Sequence, residues 1–521
     1  MTFHRNLVLV LALAGSVLWL VRGHASTQAP TQPPVEKAEN KSASASAAVF
    51  DAALGRDIDE LVGQGDSAKA RWGIFVLSLK DSRVLYSRDG DRLFNPASNM
   101  KIYPTAVALD LLSPEYRWRT SVYATNPPDA DGTINGDLIL YGRGAPDLDS
   151  KQAESLPALV DQLYQRGVRR VRGKIIGDES YFRGEQYGLG WQWNDLQWYY
   201  GAQPSALSID ENSVELTVGP GNKPSGPASV AVTPNTSNLH LTNNATTGER
   251  DAPTTVGIKR GLSNSDVLVW GEFPVGGHAY SAFLSMPEPA LRAAAILKQL
   301  LIAHGIQIEG DVENRDFRGA PSAHFDPQKG IELAYIESAD LAGIVRKTNK
   351  QSNNLYAELI LRTLGKEKGD TAPEPDSRKN AARGDDEAGV AVIRKWLRDH
   401  QIDVTTMALQ DGSGLSRLDL ITPESAARLL AVAGQASWRQ AFYDSLPIAG
   451  HDGTLQGRLT NVGGRIAAKT GSLTYVHSLS GYATTASGDL IAFSIICNDA
   501  TGETRPVRTI DAIASRIAAI R

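Results

Sequence analysis

Two regions with a helical spacing of apolar residues lie near the two ends of this chain, and a β-rich middle separates them. In the middle, residues 213–254 are dominated by Thr, Val, Asn, Gly and Pro in short alternating runs, which is typical of a small β domain. Helical spacing returns in residues 341–364, 388–399 and 423–434. Contacts between the two terminal regions are therefore long range, and we expect an outer domain that closes on itself around an insert.

The segment N-P-A-S-N-M-K, residues 95–101, precedes an apolar-rich run over residues 102–112. The Asn-Pro pair breaks the chain, so the pattern predicts a helix that begins near Ser98, with Lys101 one turn later on the same face. A desolvated amine near other cations has a lowered pKa and can take the proton of a serine. Ser and Lys three residues apart also recur by chance, in which case Ser98 is only a helix cap and Lys101 a solvated cation.

Two further polar motifs follow in the C-terminal region. Ser352 begins the triplet S-N-N between two helical segments, and Lys469 begins K-T-G-S at the end of a predicted strand. Either motif alone is weak, because S-N-N also suits a polar helix turn and K-T-G a hairpin turn whose Gly has positive φ. The three motifs in this order resemble the signature of serine β-lactamases and penicillin-binding proteins.

The resemblance implies acyl transfer to a serine, which requires a base, a proton path to the leaving amine and donors for the oxyanion. Ser98 would attack the substrate carbonyl, and Lys101 would take its proton. Ser352 and Lys469 would relay a proton to the departing D-amino acid, while the amide of Asn354 would hold the substrate backbone. We expect the two lysines to lower each other's pKa, because a neighbouring like charge disfavours the charged form.

The same resemblance implies an anion site on the K-T-G segment. Backbone N–H groups of Ser98 and Ser472 would form the oxyanion hole. The hydroxyl groups of Thr470 and Ser472, beside Gly471, would bind the free carboxylate of the substrate in the field of Lys469.

The length of the insert indicates which family within this group the chain resembles. Ser352 follows Ser98 by 254 residues, far more than the corresponding gap of a compact β-lactamase. This gap resembles that of the class C low-molecular-mass penicillin-binding proteins, which are serine D-alanyl-D-alanine carboxypeptidases that also act as endopeptidases. Further segments resemble this family: G-D-E-S-Y-F at residues 177–182, the aromatic stretch at 191–201, P-S-A-L-S at 204–208, D-G-S-G-L-S-R at 411–417 and H-D-G-T-L at 451–455.

The family resemblance covers about residues 48–521 and implies a mixed α/β (α+β) fold class. A β-lactamase/transpeptidase-like domain, with an antiparallel sheet flanked by helices, would carry two nested, β-rich smaller domains. The implied substrates are peptidoglycan stem peptides that end in D-Ala-D-Ala or are cross-linked through D-Ala, and β-lactam antibiotics would be covalent inhibitors. We expect the catalytic domain at residues 48–117 and 325–521, an inserted second domain at 118–208 and 280–324, and a nested third domain at 209–279.

In the family, the aromatic stretch and the D-G-S-G-L-S-R segment border the cleft and face the side chain of the acyl donor. Carried over to this chain, Trp191, Asn194, Tyr199 and Arg417 are candidate substrate-binding residues. The chain departs from the family at Asn194, where an acidic residue is usual, so the amine of diaminopimelate would lose a partner unless Asp195 replaces it. The alternatives are interdomain packing for the tryptophans and a Gly-rich turn for the second segment.

The N-terminal region predicts export. Residues 7–21 carry no charge and are short for a membrane span, which needs about 20 apolar residues. Because small residues follow, up to Ala25, we interpret residues 1–25 as a signal peptide and expect a periplasmic protein. The alternative is an uncleaved anchor, and peripheral membrane association stays open. Residues 26–47 are rich in Ser, Ala, Thr, Gln and Pro, which predicts a disordered tether.

Composition argues against several other functions. The net charge is −5 and no Lys/Arg-rich block is present, which argues against nucleic-acid binding. Cys497 is the only cysteine, so the chain has neither a disulfide framework nor a Cys-based metal site. His451 and His477 are not in a metal-ligand spacing, and we expect no metal and no cofactor. The oligomeric state does not follow from these patterns.

The three motifs also allow two alternative functions. A β-lactamase is disfavoured, because no Glu followed after three residues by Asn lies between Ser352 and Lys469, although some β-lactamase classes manage without that motif. The second alternative is a non-catalytic module that binds peptidoglycan or senses β-lactams. The intact Ser98 and Lys101 argue against it.

Overall fold

The computed structural model describes residues 51–234, 239–262, 264–319, 325–371, 384–501 and 505–521. The predicted signal peptide and tether, residues 1–25 and 26–47, lie outside the described residues. Within the described ranges, none of the helices is both long enough and apolar enough to cross a membrane.

Ten α-helices and nineteen strands lie in the described ranges. The helices are α1 Ala52–Gly63, α2 Ile102–Leu111, α3 Leu156–Gln165, α4 Pro289–Ala303, α5 Leu341–Lys350, α6 Asn354–Lys368, α7 Asp385–Asp399, α8 Pro423–Gln435, α9 Arg439–Ser445 and α10 Pro506–Ala518. The strands are β1 Arg71–Ser78, β2 Val84–Arg88, β3 Arg119–Ala124, β4 Thr133–Ile134, β5 Leu138–Tyr141, β6 Arg170–Val171, β7 Ile175–Asp178, β8 Ser213–Gly219, β9 Ser229–Thr233, β10 His240–Gly248, β11 Gly257–Arg260, β12 Asp266–Pro274, β13 Tyr280–Ser285, β14 Gln307–Ile308, β15 Val312–Arg315, β16 Ile331–Glu337, β17 Ile466–Leu473, β18 Val476–Thr484 and β19 Leu490–Asn498.

The beginning and the end of the described chain share one antiparallel sheet, in the order β17-β18-β19-β1-β2. Arg71 lies opposite Asn498, and Ser78 lies opposite Ile491. Strands β1 and β19 are continuous apolar runs, as expected for strands that are covered on both faces. Helices α1 and α10 pack on one face, and α2 with α5 to α9 pack on the other. The expected antiparallel sheet flanked by helices is confirmed.

A second five-stranded sheet lies in the insert, in the order β15-β7-β5-β3-β16. Strand β7 is parallel to both β5 and β15, whereas β3 is antiparallel to β5 and β16. Helices α3 and α4 cover this sheet with apolar side chains such as Leu159 and Leu297. A three-stranded sheet, β14-β6-β4, extends the same region.

Two three-stranded sheets form the innermost part of the insert, in the orders β10-β12-β11 and β13-β8-β9. Their buried side chains share one core, to which Leu216, Val269 and Phe273 contribute. The alternating burial of β8 and β12 is typical of strands with one solvated face.

The division into three domains stays a proposal, and the strand pairing moves one of its boundaries. The division assigns residues 325–521 to the catalytic domain, but β16 pairs with β3 of the insert. Leu333 and Ala334 of β16 also lie in the core of the inserted sheet. We therefore propose that the return to the outer domain falls after Glu337, because β16 completes the edge of the inserted sheet.

Candidate active site

Ser98 and Lys101 lie in a 3₁₀ turn, Ala97–Lys101, directly ahead of α2. The α-helix proper thus begins later than the sequence pattern predicts. Buried Asn95 shapes the turn: its Oδ1 accepts a backbone N–H two residues on, at 3.1 Å, and its Nδ2 donates to two carbonyl groups in residues 416–419. Ser98 is partly exposed, whereas Lys101 is fully buried. The turn therefore presents a reachable hydroxyl group beside a desolvated amine.

Three oxygen atoms surround the amine of Lys101. Its Nζ lies 2.9 Å from Ser98 Oγ, 2.6 Å from Asn354 Oδ1 and 2.7 Å from the carbonyl oxygen of Ser413. The orientation of the Asn354 amide follows from its Nδ2, which donates to the Tyr200 carbonyl at 2.7 Å. A neutral amine has two hydrogens and one lone pair, and amide and carbonyl oxygens can only accept. The lone pair is therefore left for the Ser98 hydroxyl.

Burial lowers the pKa of Lys101 from 10.5 to about 7, against the opposing charges of Asp411, Glu358 and Asp419. Two effects hold the pKa of Lys469 well below 10.5: burial is the larger, and the charge of Lys101 is the smaller. The expectation that each lysine lowers the pKa of the other therefore holds at Lys469 only. At Lys101 the cause is desolvation, because no water reaches the amine to stabilise its charge.

Ser352 lies in the short link between α5 and α6, with a φ of 58°. Its Oγ accepts from Lys469 Nζ at 2.9 Å, and the same amine donates to the Thr470 carbonyl at 2.7 Å. Asn353 caps α6 and also donates from Nδ2 to Glu211 Oε2 at 2.8 Å. A left-handed backbone at a serine persists only where the surroundings hold it, so the contact with the insert stabilises this turn.

The K-T-G motif lies within β17 and not in a turn. Gly471 is opposite Ser478 of β18, and a Cβ on Gly471 would come within 2.2 Å of Ser478 Oγ and 2.8 Å of the Pro96 carbonyl oxygen. Ser478 Oγ donates to that carbonyl at 2.7 Å and accepts from Asn99 Nδ2 at 2.5 Å. Glycine therefore allows the strand and the 3₁₀ turn of Ser98 to lie against each other.

The open side of the K-T-G segment carries two hydroxyl groups. Thr470 Oγ1 lies 2.7 Å from Thr454 Oγ1, and the exposed Ser472 has its Oγ 3.3 Å from His477 Nδ1. Burial, followed by the charge of Arg458, lowers the pKa of His477. Sequence patterns mark His477 only as a histidine without metal-ligand spacing, and the structure places it at the edge of the candidate anion site.

Arg417 connects the aromatic stretch with the β17–β18 hairpin. It donates to Gln192 Oε1 from Nε and Nη2, each at 3.3 Å, and to the Thr474 carbonyl from Nη1 at 2.9 Å. Tyr199 is half exposed, and its ring contacts Phe283 of β13 edge-on with centroids 6.1 Å apart. Arg417 thus lies beside the K-T-G strand, whereas the Tyr199 ring contacts the nested sheet.

The remaining acyl-donor candidates differ in their surroundings. Trp191 Nε1 donates to Asp411 Oδ2 at 2.9 Å, so its polar edge is directed into the protein. Asn194 is exposed. Asp195 accepts from the Tyr200 hydroxyl at 3.4 Å, and burial raises its pKa. An acidic group therefore lies one residue beyond the position where the family pattern has its acid.

Sequence reasoning did not identify several contributors to the site. The carbonyl of Ser413 leaves no sequence signal, because every residue has one. Glu358 did leave a signal, since it is the single acid within the apolar run L-Y-A-E-L-I-L of α6. Within the described ranges, no group of three or more His, Cys, Asp or Glu side chains could hold a metal ion.

Comparison with known proteins places the chain in a family. The model of the D-Ala-D-Ala carboxypeptidase 3 (S13) family matches residues 54–520. The D-alanyl-D-alanine carboxypeptidase of Actinomadura sp. is 34% identical over 478 residues, which cover 89% of this chain and 84% of that protein. The D-alanyl-D-alanine carboxypeptidase DacB of Haemophilus influenzae is 26% identical over 437 residues, which cover 81% of this chain and 84% of that protein.

The fold has a solved counterpart. The crystal structure of penicillin binding protein 4 (dacB) from Haemophilus influenzae has a TM-score of 0.75 at 24% identity, over 89% of this chain and 99% of that chain. This likeness supports the fold class, and the family model with the Actinomadura relative supports the activity. The chain belongs to the D-Ala-D-Ala carboxypeptidase 3 (S13) family and is a serine-type D-Ala-D-Ala carboxypeptidase.

Proposed function

We propose that this carboxypeptidase acts on peptidoglycan stem peptides through an acyl-enzyme on Ser98, with Lys101 as the base. The observation that carries the proposal is the position of Lys101 Nζ, 2.9 Å from Ser98 Oγ, while its two other neighbours can only accept hydrogen bonds. A pKa of about 7 leaves a large neutral fraction at neutral pH, which a base requires.

In the acylation step, Ser98 Oγ bonds to the carbonyl carbon of the penultimate D-Ala while Lys101 takes the hydroxyl proton. The carbonyl electron pair moves to the oxygen, which becomes an oxyanion. Backbone N–H groups of Ser98 and Ser472 are the proposed donors to that oxyanion. The amide of Asn354 would hold the substrate backbone beside the amine of Lys101, which its Oδ1 already contacts at 2.6 Å.

The intermediate then collapses, the C–N bond breaks, and the departing D-Ala amine needs a proton. Lys469 Nζ lies 2.9 Å from Ser352 Oγ, which supports a relay through this pair to the leaving nitrogen. The proton that Lys101 took from Ser98 ends on the amine, so acylation leaves the charge balanced. Water then attacks the ester, loses a proton to the base, and Ser98 leaves as a protonated hydroxyl. The net reaction consumes one water.

The free carboxylate of the substrate would bind to Thr470 and Ser472 on the open edge of β17, beside Gly471. Burial disfavours the charged form of Lys469 in the free protein. A carboxylate that arrives next to this amine favours the cation again, because an opposite charge raises a lysine pKa. We therefore infer that Lys469 contributes its charge when substrate is bound.

The side chain of the acyl donor would lie along Arg417, Trp191, Asn194 and Tyr199. The link from Arg417 to the β17–β18 hairpin supports its position beside the reacting centre. The half-buried carboxyl of Asp195 is the nearest replacement for the acid that the family pattern has at position 194. We propose that Asp195 receives a cationic acyl-donor side chain.

The setting of the reaction follows from its substrate. Peptidoglycan lies outside the cytoplasm, so we propose that residues 1–25 direct export and that the enzyme works in the periplasm. β-Lactams resemble the D-Ala-D-Ala end and carry an activated amide, and they would acylate Ser98 by the same steps. Neither a β-lactamase nor a non-catalytic role has an observation in its favour.

The test combines adduct formation with product release. We expect the purified protein to form a covalent adduct with a fluorescent penicillin and to release D-Ala from a stem-peptide mimic that ends in D-Ala-D-Ala. Ser98→Ala should lose both, and Lys101→Ala should lose at least about 100-fold in rate. Ser87→Ala is the matched control, because Ser87 is an exposed serine on β2, the sheet edge opposite β17. An undiminished adduct on Ser98→Ala would contradict the proposal.

A further inference from the structure

A tight turn at residues 411–416 lies directly behind the amine of Lys101, and the carboxylate of Asp411 organises it. Asp411 Oδ1 accepts from the Gly414 N–H at 2.7 Å. Its Oδ2 accepts from the Ser416 N–H at 2.8 Å and from the Ser413 hydroxyl at 3.2 Å. The indole N–H of Trp191, which comes from the insert, donates to the same Oδ2 at 2.9 Å.

Glu358 of α6 holds the other side of the 411–416 turn. Its Oε1 accepts from the Gly412 N–H at 3.0 Å and from the Ser413 N–H at 2.8 Å. The Ser413 peptide is thus fixed by two carboxyl groups, and its carbonyl is directed at Lys101 Nζ at 2.7 Å. All of these groups except Trp191 are fully buried, so water does not compete for the contacts.

The 411–416 turn also packs against the 3₁₀ turn Ala97–Lys101, which contains Ser98. Gly414 has a φ of 76°, and a Cβ there would come within 1.9 Å of the Ala97 carbonyl oxygen. Only glycine fits this position, because it accepts the left-handed backbone and leaves room for the neighbouring turn. The Ser98 turn and the turn that holds its base are therefore placed against each other.

We propose that Asp411 is a positioning residue for Lys101, and that the indole N–H of Trp191 completes the set of donors around its carboxylate. The inference rests on the proposed function, since it requires Lys101 to be the base. It changes the expected role of Trp191 from a surface that only receives the acyl donor to a link between the insert and the catalytic amine. Asp411 itself touches no reacting atom and acts through the Ser413 carbonyl.

The protonation of the carboxyl cluster is consistent with this role. Four donors reach the two oxygen atoms of the Asp411 carboxyl group. Among the described residues, no donor reaches Asp419 Oδ2, and burial followed by the charge of Asp411 raises the pKa of Asp419 well above its ordinary range. Burial, again followed by Asp411, raises the pKa of Glu358 to about 8. The two carboxyl groups beside Asp411 therefore hold their protons more tightly than solvated acids do.

Asp411 also contributes to the electrostatic surroundings of Lys101. The titratable groups that face Lys101 or this cluster are Lys469 of β17, Glu358 and Arg362 of α6, and Asp411 and Asp419. Asp411 is the largest of the influences that oppose desolvation at Lys101. A loss of its charge therefore lowers the pKa of Lys101 further, while a loss of its hydrogen bonds frees the Ser413 carbonyl to move.

The experiment measures acylation by a fluorescent penicillin under single-turnover conditions, which separates the maximal rate from the half-saturating concentration. Asp411→Asn cannot accept all four donors, and we expect its maximal rate to fall about 100-fold, the scale for a misplaced catalytic group. Asp403→Asn is the matched control, because the exposed Asp403 carboxylate accepts two donors from Thr405 in its own turn, as Asp411 does within the 411–416 turn. We expect it to retain at least about half of the wild-type rate.

Trp191→Phe keeps an aromatic ring and removes the N–H that donates to Asp411 Oδ2. This variant tests the inference even if Asp411→Asn fails to fold. We expect its maximal rate to fall about threefold to tenfold, as for a lost hydrogen bond to a charged group, with an unchanged half-saturating concentration. We also expect the midpoint of its pH–rate profile to move, because the Asp411 carboxylate loses a donor.

The opposite pattern would overturn the inference. If folded Asp411→Asn acylates at the wild-type rate, or if Trp191→Phe changes only the half-saturating concentration, neither residue positions the base. Failure of the proposed function shows itself differently, because the wild-type protein would then form no adduct.

Discussion

The pH dependence of acylation tests the assignment of Lys101 most directly. The base must be neutral to accept the proton of Ser98, and burial lowers its pKa to about 7. A lysine with lowered pKa is charged below that value and neutral above it, so the rate rises with pH through about 7 and then levels off. With a solvated lysine, the same rise in rate would occur at a pH of about 10.4.

The magnitude follows from the neutral fraction of the amine. With a pKa of about 7, Lys101 is neutral in about nine-tenths of molecules at pH 8, about one-tenth at pH 6 and about one-hundredth at pH 5. The rate of acylation should therefore fall about tenfold from pH 8 to pH 6, and about tenfold more at pH 5. The drop from 10.5 to about 7 corresponds to about 5 kcal/mol against the charged form in the folded protein.

The assay is the second-order rate of adduct formation with a fluorescent penicillin between pH 5 and 9. The carboxylate of the penicillin stays ionised over this range, so the profile reports the enzyme. Circular dichroism at each pH confirms that the protein remains folded. A profile that is flat between pH 5 and 8, or one that still rises tenfold for each pH unit above 8, would refute the assignment of a desolvated neutral lysine.

Three substitutions test neighbouring parts of the site. Asn354→Asp keeps the acceptor at 2.6 Å from Lys101 Nζ but adds an opposite charge, which raises the pKa of Lys101. The midpoint of the pH–rate profile should therefore move upward by at least about one pH unit, and the rate at pH 7 should fall. Gly471→Ala introduces a Cβ that overlaps the facing strand β18 and the segment around Ser98, so the acylation rate and the melting temperature should both fall. Gly457→Ala is the control: its Cβ meets nothing within 4 Å, and neither quantity should change. Glu211→Gln removes the 2.6 Å ion pair with Lys347 beside the S-N-N turn, so kcat for D-Ala release should fall severalfold in a stopped assay. The melting temperature should change little, since each side chain of the pair is 37% exposed.

The fold and the core of the site were predictable because their signals are local. A hydroxyl and an amine one helical turn apart, an S-N-N turn between two helical segments, and K-T-G on a strand can each be read within a few residues. Their resemblance, in this order, to the signature of a known family predicted which side chains meet. The contacts of Ser98, Lys101 and Asn354, and of Ser352 with Lys469, agree with that prediction.

Other features were misread at the level of local geometry. The K-T-G segment continues a strand instead of entering a turn, because β18 pairs with it as far as Leu473. Strand β16 belongs to the inserted sheet because its partner is β3, more than 200 residues earlier in the chain. Strand pairing over such distances leaves no mark in the periodicity of either strand.

The amino-acid sequence, through its resemblance to a known family, indicated the reaction class, a candidate nucleophile, two candidate lysines and the mixed α/β architecture around an insert. Only the tertiary structure decided the surroundings of Lys101, the proposed base: desolvation lowers its pKa, and a carbonyl in the 411–416 turn contacts its amine. The physical reason is that desolvation and hydrogen-bond direction depend on atoms from distant segments. For Lys101 these atoms come from α6 and from the 411–416 turn, more than 250 residues away in the chain.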